Sequence, residues 1–173
     1  MNKINKDMKT HAKAVNSNKN IFKKKSGRIL IYGIGNPSRQ DDALGILFTE
    51  LMRVWTESRK TPNISFDSNY QLNIEDALNI SEKDTVIFVD ASVEEDIDSF
   101  SFRPIKASKS VAFSTHSMEP ESVVSLCKEL FGKKPAAYLL TIRGYSWELS
   151  AQMTEKAHEN LTAAMDYTKG LLV

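Results

Sequence analysis

The 173-residue sequence contains a single cysteine, Cys127, and this scarcity limits what kind of protein it can be. One thiol cannot form an internal disulfide or a cysteine-rich zinc site, so the composition suits a reducing compartment and we expect a cytoplasmic protein. No apolar run approaches the roughly 20 residues that a membrane span needs, and the lysine-rich N-terminus lacks the apolar segment of a secretory signal. We therefore predict a protein without a membrane span.

An excess of one charge is also missing, since 23 Lys and Arg residues face 22 Asp and Glu residues, but these charges are unevenly distributed. Residues 1–28 hold nine basic residues and one acidic residue, so the remainder has a net charge of −7. We predict a basic, weakly ordered extension over residues 1–27, because its few apolar residues cannot offset the entropic cost of ordering it. A single domain is expected over residues 28–173. Its acidic character argues against nucleic acid as a partner.

Short apolar runs alternate with helical patterns after residue 28, which indicates an α/β fold. We predict a three-layer arrangement, with a mostly parallel, about five-stranded twisted sheet covered by helices on both faces. The predicted strands are 28–35, 64–68, 84–91, 99–105 and 137–143. The predicted helices are 42–57, 74–79, one that begins at Pro120, and 154–168. The helix that begins at Pro120 is expected to bury Val123, Val124, Cys127, Leu130 and Phe131.

Polar residues follow the predicted strands at three places where a ligand could bind. The pair Asp41 and Asp42 follows the first strand, Asp90 ends a very apolar strand, and His116 precedes the helix at Pro120. Because ligands of open parallel sheets bind beyond the carboxyl ends of the strands, the fold class predicts that these groups share one edge. From the residues alone, Asp90 is either a turn former or a metal ligand or acid–base group. His116 is either an ordinary loop residue or a functional one.

Two other features have simpler interpretations. Gly33 and Gly35 begin a possible dinucleotide-binding loop, but the third glycine of that motif is replaced by Ser38. The two glycines therefore favour a sharp turn over a nucleotide site. Cys127 lies in an apolar helical stripe, which predicts a core residue and not a nucleophile.

Taken together, the three segments that carry these polar residues resemble the signatures of one family, the hydrogenase maturation proteases. Residues 33–45, GIGNPSRQDDALG, resemble its opening GxGNxxxxDDxxG motif, residues 86–91 resemble its strand ending in Asp-Ala, and residues 114–117 resemble its histidine before a helix. The resemblance covers roughly residues 28 to 169. It implies that Asp42, Asp90 and His116 bind the metal and take part in catalysis, with Asp41 as the alternative to Asp42.

The resemblance also implies an activity. It predicts an endopeptidase that removes a C-terminal peptide from the precursor of a nickel–iron hydrogenase large subunit, with the inserted nickel as the recognition element. The alternative is a non-catalytic assembly factor that binds the nickel-loaded precursor. Gly33, Gly35 and Asn36 would shape the loop that presents Asp42. We expect a monomer whose partner is the precursor.

The nickel is expected to come with the precursor and not to be held tightly by this chain. Two carboxylates and one imidazole are few ligands for a hydrolase that keeps its own zinc, which usually uses two or three histidines. Imidazole and carboxylate can instead complete the shell of a nickel ion already anchored by another chain's thiolates. The segment 67–75, DSNYQLNIE, departs from the Asp-Gly-Gly-Thr stretch of many family members. It is similar to the branch that serves soluble, cytoplasmic or bidirectional hydrogenases, as is Thr141–Tyr145.

Overall fold

The computed structural model describes residues 27–59, 63–106 and 118–172. Five strands in these ranges form one sheet in the order β2-β1-β3-β5-β4. All neighbouring strands are parallel except β4, which runs antiparallel to β5 at one edge. The strands are β1 (Ile29–Ile34), β2 (Ile64–Asn69), β3 (Thr85–Ser92), β4 (Phe100–Pro104) and β5 (Ala136–Arg143). The predicted α/β fold with a mostly parallel, five-stranded sheet is therefore confirmed.

Four α-helices in the described ranges cover this sheet. They are α1 (Leu44–Arg59), α2 (Asp76–Ser81), α3 (Pro120–Phe131) and α4 (Glu155–Leu172). Buried residues of α1 and α4 pack on one face of the sheet, and buried residues of α2 and α3 pack on the other, which gives the predicted three layers. Within the described part of the chain, no helix is both long and apolar enough to cross a membrane.

The central strands explain why the apolar runs of the sequence are continuous. Leu30 and Val86 point to the α2–α3 face, whereas Ile31 and Ile87 point to the α1–α4 face, and all four are buried. A parallel strand with helices on both sides has no solvent-facing positions, so apolar and polar residues do not alternate along it. The phenol of Tyr32 is a buried exception, and it donates a hydrogen bond of 2.8 Å to the Asp76 carboxylate.

The structure corrects two details of the predicted helices. The helix expected from residue 42 begins at Leu44, because Gln40–Ala43 form a tighter 3-10 turn. Leu130 and Phe131, expected in the core, are 56% and 39% exposed. The buried residues of α3 end at Cys127, so only the first two turns of this helix pack on the core. Cys127 itself is buried as predicted.

Two predictions involve residues outside the described ranges. Nearly all of the basic extension, residues 1–26, lies there, and so does His116. The division at residue 27 and the role of His116 therefore stay predictions.

Candidate active site

Asp90 lies near the carboxyl end of β3, level with Ile34, the last residue of the neighbouring strand β1. The last residue of β1 paired with β3 is Gly33, opposite Val89, whereas Asp90 is paired with Thr141 on β5. Alternation along the strand directs its side chain to the same face as Phe88, the face covered by α2 and α3. Because β1 ends level with Asp90, the loop that follows β1 starts beside this residue, and its side chains can approach the Asp90 carboxylate.

That loop carries Asp42, and glycines allow it to pack closely against the sheet. A Cβ atom on Gly35, whose φ is +141°, would lie 1.9 Å from the Asp42 carbonyl oxygen. A Cβ atom on Gly45 would lie 2.2 Å from the Ile34 carbonyl oxygen. The backbone N–H of Asn36 hydrogen-bonds the Asp42 carboxylate. These contacts agree with the expectation that Gly35 and Asn36 shape the loop.

Both carboxyl groups have a raised pKa, and the charge of Asp42 contributes to the shift of Asp90. Burial raises the pKa of Asp90 from its ordinary value of 3.8 to about 7, and repulsion from Asp42 and Glu119 adds to this effect. The N–H of Ala91, which donates a 2.8 Å hydrogen bond to Asp90 Oδ1, opposes it. Burial also raises the pKa of Asp42, against the opposing effects of the Asn36 N–H and the Arg39 charge. A carboxyl with a pKa near 7 can accept or release a proton at neutral pH, as acid–base catalysis requires.

Asp41, the alternative to Asp42, has a different environment. Its carboxylate is fully buried and accepts four hydrogen bonds from residues of the loop between β5 and α4, at distances of 2.7 to 3.1 Å. Three of these bonds go to Oδ2 and one goes to Oδ1, so the buried carboxylate is directed at the protein's own donors. Two adjacent, chemically identical residues thus have different environments, and Asp42 is the one whose charge acts on Asp90.

Glu119 is a neighbour of Asp90 that the sequence analysis did not identify. It is the exposed residue directly before α3, and its charge raises the pKa of Asp90. Its position three residues after His116 in the sequence was the one signal that could have identified it. In the part of the chain that the structure describes, no three His, Cys, Asp or Glu side chains form a metal-binding group.

A cleft of about 420 Å³ lies along the edge strand β4. Thr141, the neighbour of Asp90 on β5, and Ser101, paired with Thr141 on β4, line its floor. Its walls include Arg103 and the acidic loop of residues 94–98 between β3 and β4. Asp42 and Asp90 are not among the described residues that line this cleft, although Thr141 is paired with Asp90.

The fold and the site define an α/β protein with two interacting carboxylates at the carboxyl edge of a mostly parallel sheet. Solved structures of hydrogenase maturation proteases have this fold. The NiFe hydrogenase maturation protease HycI from Thermococcus kodakarensis matches with a TM-score of 0.68 and 27% sequence identity, over 89% of this chain and 97% of its own. The hydrogenase maturating endopeptidase HybD from E. coli matches with a TM-score of 0.59 and 18% identity, over 82% of this chain and 89% of its own.

The resemblance inferred from the three motifs is therefore confirmed as a structural match over most of the chain. HybD from Thermococcus kodakarensis, at 13% identity and a TM-score of 0.60, shares the same fold over 84% of this chain and 99% of its own. No family model matches the sequence, and no curated protein does either.

Proposed function

We propose that this chain is an endopeptidase that removes a C-terminal peptide from the precursor of a nickel–iron hydrogenase large subunit, with the inserted nickel as the recognition element. The observation that carries the proposal is the approach of Asp42 and Asp90 at the carboxyl edge of the sheet, close enough for one charge to shift the pKa of the other. The fold that this chain shares with the maturation proteases supports the same proposal.

In this proposal Asp42, Asp90 and His116 bind the nickel that the precursor brings. Glu119, which follows His116 by three residues in the sequence, supports the inclusion of His116, because the charge of Glu119 acts on Asp90. Imidazole and carboxylate oxygen are suitable donors for nickel, while softer thiolates of the precursor would anchor the ion. Without those thiolates the chain has few donors, so its own affinity for the metal should be weak.

Recognition of the nickel would determine which peptide bond is cleaved. A precursor docked through its metal places one peptide bond beside the carboxylate pair, and water then attacks the peptide carbonyl carbon. One carboxylate of the pair accepts the proton of this water and returns it to the leaving amine. A precursor without nickel lacks the anchor and is not positioned. Free thiolates on the precursor require a reducing compartment, so we propose that the reaction takes place in the cytoplasm, with the protease as a monomer.

The test is the intact mass of a nickel-loaded precursor after incubation with the purified protein. The wild-type protein should shorten the precursor, whereas Asp42→Asn and His116→Ala should each leave its mass unchanged. Asp166→Asn is the matched control, because it makes the same chemical change on the exposed face of α4, where Asp166 pairs only with Lys169 among the described contacts. It should cleave like the wild type.

The same experiment separates the protease from the assembly factor. A non-catalytic factor would bind the loaded precursor but leave its mass unchanged with every variant, including the wild type. Normal cleavage by Asp42→Asn or by His116→Ala would refute the proposed site while leaving the activity in place.

A further inference from the structure

The loop between β5 and α4 (residues 144–154) contains no helix or strand, yet a dense set of hydrogen bonds ties it to the turn that carries Asp42. Asp41 is at the centre of this set. Its Oδ2 accepts hydrogen bonds from the N–H groups of Tyr145 (2.7 Å) and Ser146 (3.1 Å) and from the Thr154 hydroxyl (2.8 Å). Its Oδ1 accepts one from the Thr154 N–H (2.8 Å). One side chain thus holds both ends of the loop.

The two residues before Asp41 bind the middle of the same loop. The Oε1 atom of Gln40 accepts hydrogen bonds from the Ser146 hydroxyl and from the Glu148 N–H, the latter at 3.1 Å. The guanidinium of Arg39 donates two hydrogen bonds, of 3.1 and 2.9 Å, to the Trp147 carbonyl oxygen. Gln40 has a φ of +33°, a conformation that costs free energy in a non-glycine residue and persists where surrounding contacts enforce it.

We propose that Asp41 is a positioning residue, whose buried carboxylate sets the place of Asp42 by holding the 144–154 loop against the 3-10 turn. This inference rests on the proposed function, because it assigns a task to Asp41 in the reaction of Asp42. We call the hydrogen bonds that join residues 39–41 to the 144–154 loop the clamp. Its connection to Asp42 is direct, since Asp42 follows Asp41 in the chain and the Asp42 N–H donates a 2.8 Å hydrogen bond to the carbonyl oxygen of Arg39, another residue of the clamp.

A purely structural role for Asp41 predicts a different outcome. Thr154 precedes α4, and its hydroxyl accepts a 3.3 Å hydrogen bond from the Ala157 N–H in the first turn of that helix. If Asp41 served only to stabilise this helix end, its replacement would lower stability without changing the surroundings of Asp42. The two roles therefore separate when the surroundings of Asp42 are observed directly.

The backbone N–H of Asn36 reports on the surroundings of Asp42, because it donates a hydrogen bond to the Asp42 carboxylate. In Asp41→Asn an NH2 group replaces one carboxylate oxygen and faces N–H or O–H donors, so the clamp cannot form fully. In nitrogen–proton correlation spectra of the labelled full-length protein, we expect the Asn36 and Tyr145 amide signals both to shift. We expect kcat for the nickel-loaded precursor to fall at least tenfold while the far-ultraviolet circular dichroism is retained.

Ala164→Gly is the matched control, because Ala164 is buried in α4 about 15 Å from Thr154 along the helix axis. This change weakens the same helix without touching Asp41, so the Asn36 signal and kcat should remain those of the wild type. Thr154→Val removes a single hydroxyl from the clamp and keeps its shape. It should shift the same two signals by a smaller amount, and it replaces Asp41→Asn if that variant does not fold.

Movement of the Tyr145 signal with an unchanged Asn36 signal and kcat would overturn the proposal, since the clamp would then organise only its own loop. So would a shifted Asn36 signal in Ala164→Gly, because general loosening would explain the effect. If the wild-type protein cleaves no precursor, the proposed function fails, but the amide signals still decide the role of Asp41.

Discussion

Replacement of Asp90 by asparagine should make the protein more stable at pH 8 while abolishing its activity. A buried carboxyl whose pKa rises from 3.8 to about 7 favours its protonated form in the folded state. At pH 8 the folded protein must carry the charge, and the penalty reaches at most about 4 kcal/mol, since each tenfold change in proton affinity corresponds to about 1.4 kcal/mol. Asparagine carries no charge, and its Oδ1 can keep the hydrogen bond from the Ala91 N–H.

The sign of the pH dependence follows from the direction of the shift. Below about pH 4 Asp90 is protonated in both the folded and the unfolded protein, so its burial imposes no charge penalty. Between about pH 4 and pH 7 the unfolded chain releases the proton first, and the free energy of unfolding falls as the pH rises. We expect Asp90→Asn to raise the free energy of unfolding by about 1–3 kcal/mol at pH 8, after allowance for partial solvation, and by less than half of that at pH 5.

Urea denaturation at both pH values measures this difference, and Asp76→Asn is the control. Burial raises the pKa of Asp76 as well, but each of its carboxylate oxygens accepts a 2.8 Å hydrogen bond, one from the Tyr32 hydroxyl and one from the Asn73 N–H, and asparagine can keep only one of them. Its replacement should therefore destabilise the protein by about 1–3 kcal/mol. A stability gain for Asp90→Asn that is equal at pH 5 and pH 8, or a loss at pH 8, would refute the account of the Asp90 environment.

Three further predictions concern the loop, the pH profile and the N-terminal extension. Gly35→Ala should lower the free energy of unfolding by at least about 2 kcal/mol and should lower activity, because its Cβ would collide with the Asp42 carbonyl. Gly170→Ala in α4 should be tolerated, because no atom lies within 4 Å of the added Cβ. Equal denaturation midpoints for the two variants would contradict this prediction. The kcat/KM for the precursor should fall about tenfold per pH unit below pH 7, because protonated Asp90 can neither bind nickel nor accept a proton. A flat profile from pH 5.5 to 8 would contradict this role of Asp90. If the basic extension steers the protein to an acidic client surface, deletion of residues 1–27 should slow cleavage at low ionic strength but not at high ionic strength, and equal rates at both would make the extension a tail.

The fold was predictable because its central strands are buried on both faces. Continuous apolar runs such as residues 86–89 mark such strands even in a single sequence. Helical spacing was less informative at helix ends, because it repeats regardless of where the sheet beneath the helix stops. Leu130 and Phe131 continue the stripe of α3 but lie past its last buried residue, Cys127.

The site was only partly predictable, because neighbouring residues can take different roles. The architecture of parallel strands was enough to expect Asp42 and Asp90 at one edge. What distinguishes Asp41 from Asp42 is a set of donors more than 100 residues further along the chain, at Tyr145, Ser146 and Thr154. Neither periodicity nor spacing shows such partners, since they depend on how two irregular loops meet in the folded protein.

The most direct test of the central claim compares the intact mass of the same hydrogenase precursor, with and without its nickel, after incubation with the wild-type protein. The account predicts that only the nickel-containing precursor loses its C-terminal peptide, because the metal is what brings the peptide bond to Asp42 and Asp90. Equal shortening of both precursors, or of neither, would contradict it.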